Sequence, residues 1–159
     1  MLNFFEIFSL NKSYNLDKKL LYKKYLELQA SSHPDKFINA SEEEKIKSVK
    51  VSADINEGFK VLNDDLLRAE HLMELQGFRV NKEGNNSFKP SQKLLMEQLE
   101  LREVLSFADE NEKEKIFEEI ENKIAETTKS FVEFFEKGDY ENASEQVTRL
   151  RYLIKLVDS

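Results

Sequence analysis

Ser32-His33-Pro34-Asp35-Lys36-Phe37 separates two long helical patterns, and its reading decides the fold. Proline fixes its own φ, has no N–H to donate and pushes the preceding residue toward extended geometry, so no helix runs through His33 and Pro34. Upstream, Leu21, Tyr25 and Leu28 recur at spacings of four and three with lysines between them, which predicts a helix over residues 16–30. Downstream, Ser41 followed by Glu42-Glu43-Glu44 is a capping box that opens a second helix. What remains is a stiff turn that presents an imidazole and a carboxylate two residues apart.

Composition agrees with helices. In 159 residues there are only 4 glycines and 2 prolines, 35% of the chain is charged, and strand-type alternation is absent, which predicts an all-α protein with solvated outer faces. The length suits one domain or two small ones. No cysteine is present, which excludes disulfides, thiolate metal sites and cysteine nucleophiles. No apolar run approaches the ~20 residues of a membrane span, and the N-terminus lacks the basic-then-apolar form of a signal peptide. A soluble protein of a reducing compartment is expected.

The net charge of −7 argues against nonspecific nucleic-acid binding. Residues 1–76 carry 11 basic and 13 acidic side chains, residues 77–159 carry 13 and 18. Lys18, Lys19, Lys23 and Lys24 therefore form a local basic patch on a mildly acidic region, suited to an acidic protein partner.

Along the chain, Asn3-Phe4-Phe5-Glu6-Ile7-Phe8 predicts a short helix packed on the hairpin that follows. Asp17 caps or opens the next helix. A helix over 42–62 offers Val49, Ile55, Phe59 and Leu62 to the core, and a fourth over 66–75 is closed by Gly77. Periodicity then disappears through Asn81, Gly84, Asn85, Asn86, Ser87 and Pro90, which marks residues 78–90 as a linker between domains at 1–77 and 91–159. Helices over 91–107, 111–136 and 140–157 follow, joined by short turns, and so predict a three-helix bundle or hairpin. The acidic middle helix turns Ile116, Ile120, Ile124, Phe131 and Phe134 or Phe135 inward.

No catalytic centre is legible. A general base needs an orienting partner and a cleft, and the sequence holds no serine elbow or glycine-rich phosphate loop to accompany His33 and Asp35. His33 and His71, the only histidines, do not make a zinc site without cysteine.

The helix over 91–107 carries a second signal. With a helical step of ~100° per residue and Leu94 as zero, Leu101 falls at ~340° and Leu105 at ~20°. On the same wheel Leu95, Leu99 and Met96 fall at ~100°, ~140° and ~200°. One helix thus has two apolar stripes, the second flanked by Arg102 and Glu103. Either the helix is sandwiched and both stripes are core, or the second is an exposed docking patch. On the last helix Val147, Leu150 and Ile154 form one stripe, and Tyr152 points roughly away from it.

A His-Pro-Asp turn between two helices, the first rich in lysine, resembles the signature of J-domains, and Ile55 to Leu62 resembles the ending of their third helix. His33 to Phe37 together with the run Leu95-Met96-Glu97-Gln98-Leu99-Glu100-Leu101-Arg102-Glu103 resembles the HscB family of iron–sulfur co-chaperones. The resemblance implies an all-α architecture, an N-terminal J-domain hairpin plus a C-terminal three-helix bundle. It implies that His33, Pro34 and Asp35, with Lys18, Lys19, Tyr22 and Lys23, dock on a DnaK-like ATPase chaperone of HscA type and stimulate ATP hydrolysis. It also implies that Leu95, Met96, Leu99, Glu100, Arg102, Glu103 and Tyr152 bind an IscU-type scaffold protein.

On this resemblance the chain is no enzyme, ligates no metal or cofactor, and meets neither nucleic acid nor membrane. A beginning at Asn3-Phe4-Phe5 fits a bacterial-type cytoplasmic member. Three departures stand out: Ser31-Ser32 replaces a basic-aromatic pair, Asp65 stands where proline is frequent, and Phe107 stands where an acidic contact is expected. Two rival readings remain: a general J-domain co-chaperone for unfolded clients, and a helical adaptor with no ATPase partner, in which the His-Pro-Asp turn is incidental.

Overall fold

The break at Pro34 has the expected effect. In the computed structural model, which describes residues 1–158, α2 (Lys18–Ser32) stops at His33, whose backbone is extended at φ −60° and ψ 134°. A single 3₁₀ turn, Pro34–Phe37, leads to α3 (Glu42–Asn63). Both helices open on the caps read from the sequence. The Asp17 carboxylate accepts the Lys19 and Leu20 N–H groups, and Ser41 Oγ accepts that of Glu44 at 3.2 Å.

The pairing of α2 with α3 runs in opposite senses. Tyr25 donates to Asn56 Oδ1 at 2.8 Å, and one turn further along α2 Gln29 meets Ser52, one turn back along α3. That is an antiparallel hairpin. Two short elements close its open end: α1 (Phe4–Ile7) and α4 (Asp65–Leu75). The first lies on α3 at Gly58, where an added Cβ would stand 3.0 Å from the rings of Phe4 and Phe8. With no side chain there, Phe5 and Phe8 are buried.

The second closing element is held by Arg68, which is 4% exposed. Its guanidinium donates to Tyr14 O at 2.7 Å, Leu62 O at 2.8 Å and the Asp65 carboxylate at 3.0 Å, and it sits 4.5 Å over the Tyr14 ring. Asp64 caps α4 by accepting the Leu67 N–H. Asp65 therefore occupies the first helical position, where proline is favoured. Here a carboxylate is favourable too, because it faces the positive end of the helix dipole. Burial pushes the Asp65 carboxyl up, but bonds from Arg68 and Lys18 outweigh that and hold it below its ordinary range.

One core expectation needs correction: Val49 is 56% exposed. The buried face of α3 is set by Ser48, Ile55, Gly58 and Leu62, and Val49 lies about 100° around the helix from Ser48.

The chain divides into Met1–Leu75 and Gln76–Ser159. In the second unit α5 (Gln92–Phe107), α6 (Glu110–Glu136) and α7 (Tyr140–Asp158) share a core of Leu94, Ile120, Leu153 and Leu156, with Leu101, Leu105, Ile116 and Ile124 packed against it. Ile120 and Phe131 are the fully buried members of the α6 stripe. Gly138, at φ +77°, turns the chain between α6 and α7 in a conformation that favours glycine. The all-α architecture matches the expected one; among the described residues no strand occurs, only an isolated bridge between Arg79 and Ser87.

Residues 78–90, read as a linker, are folded onto the second unit. Val80 is buried, the Phe78 ring lies 5.5 Å from that of Tyr140, and Asn81 Nδ2 donates to Val147 O at 3.5 Å. The polar residues between them make turns, and the apolar ones reach the bundle.

His71 couples α4 to α1. It is 5% exposed, its Nε2 accepts the Phe4 N–H at 3.2 Å, and the Phe4 and Phe5 rings stack on it at 4.7 and 5.8 Å. Burial pushes the imidazole below its ordinary value of 6.5, with the Glu74 carboxylate opposing. The fold thus prefers neutral His71, so its contribution is complete above that value and is lost as pH falls below it. Thermal melts between about pH 8 and pH 5 should show the first unit weakening with acid. His71→Gln, which can accept the same bond without titrating, should flatten that dependence; an unchanged slope would contradict the role given to the imidazole.

Candidate docking surfaces

The His-Pro-Asp turn is built from local hydrogen bonds. His33 N donates to Gln29 O at 2.9 Å and closes α2; Lys36 N donates to His33 O at 3.0 Å and closes the 3₁₀ turn. His33 Nδ1 accepts the Asp35 N–H at 3.1 Å. With that atom occupied as an acceptor, its 3.5 Å approach to Asp35 Oδ2 is not an ion pair. The Asp35 side chain is 84% exposed, so a carboxylate is held on a stiff turn and directed to solvent.

The preceding helix divides its lysines into two pairs. Lys19, Tyr22, Lys23 and Leu26 fall at i, i+3, i+4 and i+7 and are exposed, forming one face that runs toward the turn. Tyr22 stacks against Tyr25 and meets the Phe59 ring at a tilt, so one side of its ring rests on the unit. Lys18 instead pairs with Asp65 at 3.2 Å, and Lys24 Nζ donates to Ser9 O at 3.0 Å. Those two are engaged within the unit. Leu26 escaped the sequence reading, although its spacing from Lys19 and Tyr22 signals it.

On the second unit the ambiguity of α5 is resolved. Ser91 caps the helix, its Oγ accepting the Leu94 N–H, while its own N–H and hydroxyl donate to the Glu145 carboxylate at 2.7 and 3.0 Å. Leu94 is buried, and Leu101 and Leu105 pack on the core. Leu95, Met96 and Leu99 are 45%, 55% and 55% exposed, and Glu100, Arg102 and Glu103 lie exposed around them. Val104 and Phe107, outside the predicted set, extend the apolar surface to the end of the helix, Phe107 being 82% exposed. An apolar stripe with a charged rim has the anatomy of a protein-docking surface.

Tyr152 is a correction. It is 5% exposed and belongs to the core, and its hydroxyl donates to Glu97 Oε2 at 2.6 Å. It does turn away from Val147 and Leu150, but α5 covers that side of α7. Arg149 Nε donates to the same Glu97 oxygen at 3.0 Å. Burial pushes the Glu97 carboxyl up, yet the bonds from Tyr152 and Arg149 outweigh it and hold it below the usual carboxylate range; burial also raises the Tyr152 hydroxyl.

Among the described residues no cluster of three His, Cys, Asp or Glu side chains could hold a metal ion, and no helix is long and apolar enough to cross a membrane.

Residues 90–159 match the family model described as the HSCB C-terminal oligomerisation domain. The co-chaperone protein HscB homolog of Shewanella halifaxensis is 38% identical over 165 aligned residues, spanning 99% of this chain and 94% of that protein. Among solved structures, chaperone HscB from Vibrio cholerae is similar with a TM-score of 0.82 and 30% identity, over 99% of this chain and 94% of its own. Human co-chaperone protein HscB reaches a TM-score of 0.86 at 29% identity, over 99% and 80%.

Exposure of the second stripe predicts opposite outcomes for two triple variants. Replacing Leu95, Met96 and Leu99 with alanine should leave the melting temperature of the second unit nearly unchanged. Replacing Leu94, Leu101 and Leu105 should melt it, since truncating the buried Leu94 costs roughly 2–5 kcal/mol, the two partly buried leucines add to that, and a unit this small has little stability to lose. Circular-dichroism melts separate the two cases, and unfolding of the first variant would make its stripe core.

Proposed function

The chain belongs to the HscB co-chaperone family, and on that premise we propose that it stimulates a DnaK-like ATPase chaperone of HscA type and delivers an IscU-type iron–sulfur scaffold to it. The observation that carries this reading is the exposed stripe of Leu95, Met96 and Leu99 with its rim of Glu100, Arg102 and Glu103. Three aliphatic anchors in solvent are unfavourable unless a partner covers them, and a charged rim orients that partner. Tyr152 supports the site from beneath.

The first unit would meet the ATPase. A carboxylate on a rigid turn pairs with a partner's arginine at low ordering cost, and charge-assisted hydrogen bonds are the strong ones. Asp35 is that carboxylate; His33 and Pro34 hold it, and Tyr22 with Leu26 adds contact area along α2. Lys19 and Lys23 would guide the encounter, and Lys18 and Lys24 add long-range field from their tethered positions. On the same reading the protein is a cytoplasmic co-chaperone in iron–sulfur cluster assembly. It triggers hydrolysis in its partner and carries out no chemistry on its own residues.

Asp35→Asn keeps the shape of the turn and removes its charge. It should abolish stimulation of the chaperone's ATPase while helicity and scaffold binding, read by circular dichroism and calorimetry, stay as in the wild type. Stimulation at wild-type strength would sink the reading of the turn.

Steering has its own signature in stopped-flow kinetics. Association with the ATPase should slow by about 3- to 10-fold between low and physiological salt, because the Debye length shrinks to roughly 8 Å. Lys19→Ala with Lys23→Ala should reduce that dependence; rates flat across ionic strength would remove the steering role.

A further inference from the structure

Helix α5 poses a problem that apolar burial does not solve. Its two stripes, Leu94/Leu101/Leu105 and Leu95/Met96/Leu99, contain the same number of large aliphatic residues. Rolling the helix by roughly 145° would exchange them, since the stripe centres lie that far apart at ~100° per residue. The hydrophobic effect is non-directional and scales with area, so it discriminates poorly between the two rolls. Something else selects the roll that leaves Leu95, Met96 and Leu99 outside.

We propose that Tyr152 and Arg149 on α7 are positioning residues that converge on Glu97 and select the roll of α5. Glu97 is the acceptor on which they meet: one carboxylate oxygen takes the Tyr152 hydroxyl at 2.6 Å and Arg149 Nε at 3.0 Å. Arg149 is oriented in turn by Gln146, whose Oε1 accepts from Nη1 at 3.0 Å. Counted from Leu94, Glu97 lies at ~300°, about 60° from the inward stripe, so it reaches α7 only in the observed roll. In the exchanged roll the carboxylate would point away and leave the hydroxyl of a tyrosine that is 5% exposed without its acceptor. Unpaired buried polar groups are costly, whereas exchanging one leucine stripe for another is nearly neutral. A directional polar contact at the edge of a core can specify register in this way, and here the Tyr152 end of it is the buried one.

A second tether fixes the start of the helix without setting the roll of its middle. Ser91 is held to Glu145 through its backbone N–H and hydroxyl. Lys123 and Glu126 of α6 and Arg149 of α7 line a cavity of about 410 Å³ beside Glu97, so the carboxylate has charged neighbours on both packed helices. Tyr152 and Arg149 are the two bonded to it.

The absence of cysteine allows a direct test in the full chain. Single reporters, Met96→Cys on the outer stripe and Leu94→Cys on the inner one, which is 1% exposed, are labelled with a maleimide well below the melting temperature. With Glu97 intact, position 96 should label at least about tenfold faster than position 94, because the buried inner site reacts only through local opening. With Glu97→Leu, or with the milder Tyr152→Phe and Arg149→Leu together, the ratio should fall to within about threefold while helicity is retained. Loss of stability alone would speed only the inner site through opening; exchange of stripes also slows the outer one. Slowing at position 96 therefore supports the proposal, and a rate at position 96 that does not fall in either background overturns it, whatever the inner site does.

The consequence for scaffold binding rests on the docking role proposed above. Glu97→Leu should weaken the scaffold by about tenfold or more, although no exposed stripe residue changes. Labelling needs no scaffold, so the two ideas fail separately. If labelling at position 96 slows but the triple variant of Leu95, Met96 and Leu99 binds normally, roll selection stands and the docking surface lies elsewhere.

Discussion

Arg68 is the interaction on which the first unit depends. One buried guanidinium satisfies a carbonyl in the approach to α2, a carbonyl at the end of α3 and a carboxylate at the start of α4. Each bond answers a local need. Leu62 O lies in the last turn of α3, where carbonyls lack helical partners and a cation is favourable. Asp65 holds Lys18 at the same time, so the network reaches the first turn of α2. Three helices and an entry loop are thus referred to one side chain, which sets where the hairpin begins and hence where its turn ends.

Glu97 with Tyr152 and Arg149 plays the corresponding part in the second unit. In both places a charged group sits at or near the interior with its partners supplied, and among the described residues no buried side-chain nitrogen or oxygen lacks a hydrogen bond. Such groups contribute little net stability compared with well-packed apolar replacements. Their value is geometric. Stripes of leucine tolerate sliding and rolling, and a directional bond does not.

Much of this was legible in the sequence, and the limits have physical causes. Pro34, Ser41 and Gly77 mark local backbone events, and local events are written in neighbouring residues. The two stripes of α5 were legible as angles, but an angle does not name the neighbour on that side. The same gap misplaced Tyr152: α7 is covered by α6 and α5 on different sides, so turning away from one stripe was not turning toward water. Lys18 and Lys24 looked equivalent to Lys19 and Lys23 because their partners, Asp65 and Ser9, belong to other elements. Residues 78–90 read as a linker because turn formers outnumber the few apolar residues that anchor them, Val80 above all.

The separation between Glu97 and Tyr152 also bears on the order of assembly. Helices α6 and α7 meet through a tight turn at Gly138, so their contacts close short loops and form quickly. The bond that seats α5 joins residues 55 positions apart, and its loop is complete only after the whole α6–α7 hairpin exists. The outward stripe of α5 is therefore the last part of the bundle to be set in place. A partially synthesised chain that ends before Arg149 and Tyr152 has both apolar stripes of α5 but not the two donors that meet Glu97.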